Sequence, residues 1–269
     1  MIGKERWMMI EFMKQLAVQA GTMALADSKT LTGDNVQKKS MLDLVTDTDR
    51  KVEAFITGEL AKRFPDYGIY GEEYGKSHAD REYCFVIDPI DGTASFIHGL
   101  PNWCVSIGLM RHGRSVAGVV YQPETGDLYY AEDGKGSFVN GIRLQASSRT
   151  ELSGCIMSTG FYCLRAQWRE ENNLKFFARI APELADIRKY GSAALDLCFT
   201  ARGIIDGNWE LRLALYDVAA GVIIAREAGA VVTDLFGGED FPDKGILCTN
   251  KHIYGKVFPY FHDFKALNR

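Results

Sequence analysis

The chain has 269 residues, 46% of them hydrophobic and 25% charged, and its formal net charge is −4. This composition is that of an ordinary folded globular protein, with room for one large domain or two closely packed halves. The negative charge argues against nonspecific nucleic-acid binding, and it means that an anionic substrate would need metal ions or a local basic patch.

Two amphipathic helices are predicted at the start of the chain. The first carries a stripe of apolar residues at helical spacing, namely Ile10, Met13, Ala17, Ala20 and Ala24. A polar loop with Lys38 and Lys39 follows. The second helix begins near Asp49 and ends at Pro65, which cannot continue a helix. Because Met8 and Met9 could equally start the protein, residues 1–8 are a candidate for a non-native or poorly ordered leader.

The pattern becomes β-rich after the second helix. Apolar and aromatic runs between turn residues predict strands at Tyr67–Tyr70, Tyr83–Ile87, Cys104–Met110, Val116–Tyr121 and Leu128–Ala131. From about residue 150 strands and helices alternate, which is typical of an α/β arrangement. We therefore expect an N-terminal α+β half, residues 1–145, and a C-terminal α/β half, residues 146–269, with the active site between them.

The predicted elements of the C-terminal half follow one another closely. Strands are expected at Gly154–Thr159, Ile187–Tyr190, Ile204–Leu211, Ala230–Asp234 and Gly245–Thr249. Helices are expected at Arg169–Ile180, at Ser192–Ala201, from Asp217 to about Gly229, and beyond Lys251.

The most informative segment is Asp88-Pro89-Ile90-Asp91-Gly92-Thr93-Ala94-Ser95. Two carboxylates stand three residues apart at the end of a predicted strand, and Pro89 restricts the backbone between them, so their oxygens can converge on one hard cation. Gly92 marks a turn, and Thr93 lies where a helix would open, whose N–H groups suit a phosphate. The segment predicts Mg²⁺-assisted phosphate-ester chemistry. Two solvated acids in a surface turn are the alternative.

Three other acidic positions each have an ordinary structural explanation. Glu72 follows a predicted strand and could belong to a surface turn, while Asp49 and Asp217 stand at helix starts, where aspartate is favourable as a cap. Taken in order, however, Asp47-Thr48-Asp49, Gly71-Glu72-Glu73, Asp88 to Thr93 and Asp217-Val218-Ala219-Ala220-Gly221 form a pattern. In this pattern the chain resembles the inositol monophosphatase family, the lithium-sensitive, Mg²⁺-dependent sugar phosphatases. The resemblance runs from the first helix to about Thr249.

The resemblance implies a five-layered α-β-α-β-α sandwich and a homodimer. It also implies two or three Mg²⁺ ions. The first would be held by Glu72, Asp88 and the carbonyl of Ile90, and the second by Asp88, Asp91 and Asp217, while a third, weaker ion would lie near Glu72.

The catalytic and substrate-binding residues are implied in the same way. Thr93 and Asp49 match the pair that orients and deprotonates the attacking water, and the backbone N–H groups of Gly92 and Thr93 match the phosphate cradle. The positions that match substrate contacts are Asp91, Gly92, Thr93, Gly191, Ser192, Ala193 and Glu210. Two metal ions fit this chemistry, because phosphoryl transfer depends on positioning and charge neutralisation.

Glu210 carries most of the substrate prediction. It matches a carboxylate that hydrogen-bonds a ring hydroxyl, which favours myo-inositol 1-phosphate or a related polyol phosphate; the structural alternative is an ion pair with Arg212. The chain departs from the family pattern at Ser95, at Tyr216, and at Ala214-Leu215, which lacks a familiar proline. Arg212 could also meet a second phosphate.

Several alternatives therefore stay open. Within the fold, they are fructose-1,6-bisphosphatase, histidinol-phosphatase and the phosphoadenosine-phosphate or NADP phosphatases. In another class, the chain could be a regulatory protein, for instance a transcription or RNA-processing partner that reuses the fold.

The remaining residues suggest no other chemistry. The five histidines lack ligand spacing and are expected to be structural or surface residues. The six cysteines form no C-x-x-C pair and mostly lie in apolar runs, which indicates packed, reduced thiols and a cytoplasmic location. No apolar run approaches the roughly 18 residues of a membrane span.

Overall fold

The computed structural model describes residues 2–30, 36–40, 43–165 and 172–263, with side chains in 9–30, 46–164 and 172–263. The helices are α1 (Ile2–Ser28), α2 (Asp47–Arg63), α3 (Thr93–Ile97), α4 (Leu174–Ile180), α5 (Ala193–Ala201), α6 (Leu215–Glu227) and α7 (Tyr254–Val257). The strands are β1 (Val36–Ser40), β2 (Asp43–Thr46), β3 (Gly68–Gly71), β4 (Gly75–Ser77), β5 (Tyr83–Asp91), β6 (Cys104–Arg111), β7 (Arg114–Gln122), β8 (Asp127–Glu132), β9 (Gly136–Val139), β10 (Ile142–Arg143), β11 (Ile156–Thr159), β12 (Asp186–Arg188), β13 (Gly207–Glu210), β14 (Ala230–Thr233) and β15 (Ile246–Asn250).

Two sheets and three layers of helices alternate. The larger sheet has eight strands in the order β10-β9-β8-β7-β6-β5-β3-β4, and only its β3–β5 pair is parallel. The smaller sheet has five strands in the order β12-β11-β13-β15-β14, with β11 parallel to both of its neighbours. Helices α1 and α2 cover the outer face of the larger sheet, α5 and α6 lie between the sheets, and α4 and α7 cover the smaller sheet. The result is the predicted α-β-α-β-α order.

Four clusters of apolar side chains hold these layers together. Met13, Ala17 and Ala20 of α1 are fully buried against the larger sheet, so the predicted apolar stripe is confirmed. All six cysteines are buried free thiols, as expected for small apolar side chains. Within the ranges described, no helix has both the length and the apolar character needed to cross a bilayer.

The main difference from the predicted elements is a hairpin. The polar loop expected around Lys38 and Lys39 is instead formed by β1 and β2, which pair antiparallel. Val36–Ser40 contains a single apolar residue, so it has no apolar periodicity from which a strand could be predicted. The short strands β4, β9 and β10 were missed for a related reason, since each has only two to four residues.

Three predicted boundaries also move. The helix expected from Arg169 begins at Leu174, and residues 166–171 lie outside the described residues. The strand expected over Ile204–Leu211 is reduced to β13, because bends precede it. The strand expected to end at Ile87 continues as β5 to Asp91, so both acids of the motif lie within the strand and not after it.

Helix α6 lies unusually close to the larger sheet. Gly108 of β6 and Gly118 of β7 are directly paired across the ladder, and both face α6. A Cβ at Gly118 would lie 2.5 Å from the carbonyl oxygen of Ala220, and one at Gly108 would lie 2.9 Å from the Cβ of Ala219. Two glycines on neighbouring strands therefore let α6 pack directly on the backbone of the sheet.

This close approach predicts the effect of adding one methyl group. Gly118→Ala must push α6 away from the sheet, so we expect the free energy of unfolding to fall by about 1–3 kcal/mol. Gly58→Ala in α2 is the matched control, because nothing lies within 4 Å of the added Cβ. Since alanine favours a helix, that change should raise stability by about 0.5–1 kcal/mol. Urea unfolding measures both changes in stability. An unchanged free energy of unfolding in Gly118→Ala would contradict the close packing of α6 on the sheet.

Candidate active site

A cavity of about 440 Å³ lies where β5, α5 and α6 meet. Its lining includes most of the predicted site residues, namely Glu72, Asp88, Ile90, Asp91, Gly92, Thr93, Gly191, Ala193, Glu210 and Asp217. Asp49 and Ser192 are buried outside this lining. Residues far apart in the chain therefore come together in one cavity that spans the two sheets.

A bulge in β5 brings the two acids of the central motif to the same side. Side chains of a regular strand alternate, so residues three apart would face opposite ways. Asp88 pairs with Ser106 and Asp91 with Cys104, so β5 contains one more residue than β6 in this stretch. The extra residue restores a common direction. Pro89 lies inside the bulge, where its missing N–H costs no regular ladder bond.

Burial excludes the alternative of two solvated acids. Asp88 is 2% exposed and Asp91 is 7% exposed. Ile90 donates its backbone N–H to Asp88 Oδ1 at 3.0 Å, so the motif also fixes its own first carboxylate.

Asp91 connects the larger sheet to α5. Its Oδ2 accepts a hydrogen bond from the Ser192 hydroxyl and another from the Ala194 N–H, both at 2.7 Å. Ser192 also caps α5, because its hydroxyl oxygen accepts a bond from the Leu195 N–H. The carboxylate that ends β5 thereby sets the position of the first turn of α5.

Asp217, on α6, adds a third carboxylate beside Asp88 and Asp91. It lies in the first turn of α6, and its Oδ2 accepts the backbone N–H of Ala214 at 2.5 Å. Carboxylate oxygens of Asp88, Asp91 and Asp217 all lie within 4.8 Å of one another. In the described part of the chain, these hydrogen bonds fall on Asp88 Oδ1, Asp91 Oδ2 and Asp217 Oδ2, so the other oxygen of each acid can meet a cation.

A buried glutamate fixes the turn that carries Glu72. Glu53 of α2 is fully buried, and its two oxygens accept the backbone N–H groups of Glu73 and Tyr74 at 2.8 and 2.9 Å. Its carboxylate also packs on Gly71, where a Cβ would overlap it. This role could not be inferred from the sequence, because Glu53 is one acid among several in α2 and its partners lie 20 and 21 residues away.

Gly92 and Thr93 form the turn that leaves the bulged strand. Gly92 has φ of 96°, and a Cβ there would lie 2.7 Å from the Asn102 carbonyl oxygen, so both conformation and space require glycine. Thr93 begins α3, as predicted, and its hydroxyl donates to the Ile90 carbonyl at 3.1 Å. The backbone after Asp91 thus turns directly into the cavity.

Asp49 is buried and does not line the cavity. Its Oδ2 accepts the backbone N–H of Thr46 at 2.8 Å and the Thr46 hydroxyl at 2.6 Å, while Thr46 caps α2 in return. This reciprocal capping box confirms that Asp49 has a structural role at the helix start. Burial nevertheless raises the pKa of Asp49 to about 7, although the Thr46 bonds lower it.

The cluster of acids carries a large electrostatic cost. Burial raises the pKa of Asp88 well above its ordinary value, and the negative charges of Glu72, Asp91 and Asp217 raise it further. Burial likewise raises the pKa of Asp91 to about 6, with the hydrogen bonds from α5 opposing, and it raises that of Asp217, with Asp91 adding to the effect. Like charges held together out of water call for a cation.

Glu210 also lines the cavity. The residue is 8% exposed, and its carboxylate packs on Gly160, where a Cβ would overlap it. Arg212 also lines the cavity. Burial raises the pKa of Glu210 well above its ordinary value, and the charge of Asp196 is the next cause.

Among the charged and histidine side chains that line the cavity, sequence reasoning missed Lys189, Asp196 and His98. His98 is exposed, as expected for a surface histidine, but it borders the site. A signal for Asp196 was present in the sequence, since it is the single acid in the apolar helix Ala193–Ala201. An acid within a fully buried helix needs a partner or a function.

Comparison with known proteins identifies the family. Residues 7–265 match the inositol monophosphatase family. The chain belongs to this family. It is 37% identical over 246 residues to an inositol-1-monophosphatase of Mesorhizobium japonicum, covering 91% of this chain and 92% of that protein. It is 39% identical over 209 residues to the Nus factor SuhB of Vibrio cholerae, covering 77% and 78%.

A solved structure agrees with the fold of this family member. The inositol monophosphatase of Anabaena (Nostoc) sp. PCC 7120 superimposes with a TM-score of 0.87 at 31% identity, covering 98% of each chain. The predicted family and the predicted five-layered sandwich are both confirmed. The chain is thereby assigned to a family of phosphatases.

The raised pKa of Asp49 predicts a pH-dependent stability. Its pKa is about 7 in the folded chain and near 4 when unfolded, so between these values the folded state holds a proton that the unfolded state releases. The contribution of Asp49 is therefore fully favourable below about pH 4 and is lost as the pH rises to about 7.

Comparison with Asp49→Asn isolates this contribution from other titrating groups. In the presence of a chelator, the stability of the wild-type chain relative to Asp49→Asn should fall steadily from pH 4 to pH 7, as measured by urea unfolding. A difference that stays flat or rises over this range would contradict the assignment.

Proposed function

We propose that the chain is a Mg²⁺-dependent phosphomonoesterase that hydrolyses myo-inositol 1-phosphate or a related polyol phosphate. The observation that carries the proposal is the convergence of Asp88, Asp91 and Asp217 oxygens within 4.8 Å, at the wall of a cavity large enough for a small sugar phosphate. The relative named inositol-1-monophosphatase supports the choice of substrate class.

The donor set fits magnesium. Mg²⁺ prefers oxygen ligands and is commonly held by few carboxylates, with water and substrate phosphate completing its shell. Glu72, Asp88 and the Ile90 carbonyl would hold one ion, and Asp88, Asp91 and Asp217 a second; a third, weaker ion would lie near Glu72. When bound, these ions would lower the pKa of a water and neutralise charge on the transferring phosphoryl group.

The turn after Asp91 would hold the phosphate. The backbone N–H groups of Gly92 and Thr93 border the cavity and would donate to phosphate oxygens. Thr93 would orient the attacking water through its hydroxyl oxygen, and Asp49 would receive the proton. A pKa of about 7 suits Asp49 for that task, because a general base works best when its pKa lies near the working pH.

Another part of the cavity wall would bind the alcohol part of the substrate. Gly191 and Ala193 line it, and Glu210 presents a buried carboxylate that can accept a hydrogen bond from a hydroxyl group. Ser192 is also a predicted substrate contact, although its hydroxyl is engaged with Asp91. Buried acceptors of this kind discriminate strongly, since a ligand without the hydroxyl leaves them unpaired.

Replacement of Asp88 tests the metal assignment. Asp88→Asn should reduce Mg²⁺-dependent phosphate release from inositol 1-phosphate by more than about a hundredfold, since even indirect partners of metal ligands can contribute that much. Stability in chelator should not decrease at pH 7, because one of several repelling buried charges is removed. Asp80→Asn, at an exposed position, is the control. Turnover like that of the wild type in Asp88→Asn would remove Asp88 from the metal site.

A substrate panel distinguishes the alternatives within the fold. Inositol 1-phosphate, fructose 1,6-bisphosphate, phosphoadenosine phosphate, NADP and histidinol phosphate would be compared by kcat/KM with Mg²⁺. We expect the highest value for inositol 1-phosphate. A preference for fructose 1,6-bisphosphate would instead support the bisphosphatase alternative and give Arg212 the second phosphate.

Glu210 has a separable effect on substrate choice. Glu210→Gln should raise KM for inositol 1-phosphate by about tenfold, the effect of a lost charge-assisted hydrogen bond. KM for 4-nitrophenyl phosphate, which has no ring hydroxyls, should change by less than about twofold. Steady-state kinetics on both substrates measure the split, and equal changes would exclude Glu210 from hydroxyl recognition.

A regulatory role is the second candidate function. The Vibrio cholerae relative named Nus factor SuhB favours it, and it is compatible with phosphatase activity in the same protein. Asp88→Asn separates the two roles, because a regulatory phenotype that survives in this inactive variant would belong to binding alone. The homodimer and the cytoplasmic location stay predictions.

A further inference from the structure

A second cavity, of about 570 Å³, takes no part in the function proposed above. Its floor is the face of the larger sheet that carries α6. Tyr70, Val86 and Gly108 are neighbours in one row across β3, β5 and β6; Gly108 faces α6, and the other two line the cavity. Helix α6 and residues 239–243 form its sides. Cavities of roughly 300–1,000 Å³ are typical of sites for small ligands.

A single layer of residues separates this second cavity from the active site. Leu213 and Ala214 line both cavities. Tyr70 lines the second cavity and meets Tyr216, which lines the active site, edge to face at 5.8 Å between ring centroids. The three clustered acids line the active-site cavity and not the second one. The second cavity is therefore a distinct space with a chemistry of its own.

Apolar surface remains accessible inside the second cavity. The half-buried apolar side chains that line it are Tyr70, Ala79, Leu213, Leu215 and Phe241. Beneath them lie the buried apolar residues Val86 and Met110. A ligand with an apolar body gains free energy by covering such surface, because the surface is removed from water.

The acids around the second cavity are already engaged. Three of them form ion pairs with other residues of the chain: Glu82 with Arg111 at 2.8 Å, Glu239 with Arg226 at 3.0 Å, and Asp240 with Lys244 at 2.9 Å. The fourth, Asp243, is not free either. These carboxylates therefore have little attraction left for a cationic ligand.

The cations around the second cavity are not neutralised in this way. Lys76 and Arg114 line it, are exposed, and form no ion pair with any residue that the structure describes. Arg81 also lines it and donates only to two backbone carbonyl groups, at 2.8 and 3.2 Å. The amine of Lys76 lies 4.7 Å from the centroid of the Tyr70 ring. An apolar surface is thus bordered by positive charges that lack an anion.

We propose that the second cavity binds a small amphipathic anion, an apolar ring or short chain that carries a sulfonate, carboxylate or phosphate group. The anionic group meets Lys76 and Arg114, where charge-assisted hydrogen bonds can form. The apolar body packs on Tyr70, Leu215 and Phe241. The site goes beyond the proposed function, since it shares no acid of the metal cluster and does not depend on phosphatase activity.

The fluorescent anion 8-anilinonaphthalene-1-sulfonate (ANS) is a suitable probe, because it joins an aromatic body to one sulfonate. Fluorescence and calorimetric titration of the native chain should show one ANS molecule bound per chain. The double variant Lys76→Ala/Arg114→Ala should bind it about tenfold more weakly, the effect of two lost exposed charges. The matched control is Lys135→Ala/Lys251→Ala, which removes two exposed cations outside both cavities and should change binding by less than about twofold.

Displacement of ANS tests the chemistry and the place of the site. Naphthalene-1-sulfonate should displace it, whereas methanesulfonate, which lacks the apolar body, and inositol 1-phosphate should not. The inference is overturned if the native chain does not bind ANS, or if both double variants bind it equally. Displacement by methanesulfonate would remove the apolar part of the site, and displacement by inositol 1-phosphate would place ANS in the active site; either result also overturns the inference.

Discussion

The close packing of α6 on Gly108 and Gly118 determines where the site can form. The first turns of α6 approach the sheet closely here, with only the small side chains of Ala219 and Ala220 between helix and strands. Asp217, two residues before Ala219, places a carboxylate oxygen within 4.8 Å of those of Asp88 and Asp91. The packing of small glycine and alanine residues therefore helps to set the distances between the three carboxylates.

The same packing forces like charges together out of water. Native proteins usually avoid such an arrangement, because burial and mutual repulsion make the charged forms unfavourable. The raised pKa values of Asp88, Asp91 and Asp217 reflect this effect. Hydrogen bonds from Ile90, Ala194 and Ala214 fix one oxygen of each acid, so the cluster does not relax by turning away. The acid cluster lowers the stability of the fold at a place where a bound cation would raise it again. Such a relation between a fold and its functional site is common.

Much of this arrangement could be predicted from the sequence, and the rest could not, for identifiable reasons. The order of the acidic motifs gave the family, and the apolar stripe of α1 gave a helix, because both are local patterns. The bulge in β5 was missed, since it depends on how Asp88 and Asp91 pair with β6. Glu53 was missed for the same reason. Its importance comes from partners distant in sequence, and it belongs to no motif.

The hydrogen bonds between Asp91 and α5 have a consequence for the order of binding events. One carboxylate group faces the cation site with one oxygen and holds the first turn of α5 with the other. That turn leads directly to Ala193, which lines the same cavity. Under the proposed function, a single side chain therefore connects the metal site to the part of the cavity that would bind the alcohol. Because thermodynamic coupling is reciprocal, an ion that orders Asp91 would then strengthen binding of the alcohol, and a bound alcohol would strengthen binding of the ion by the same factor.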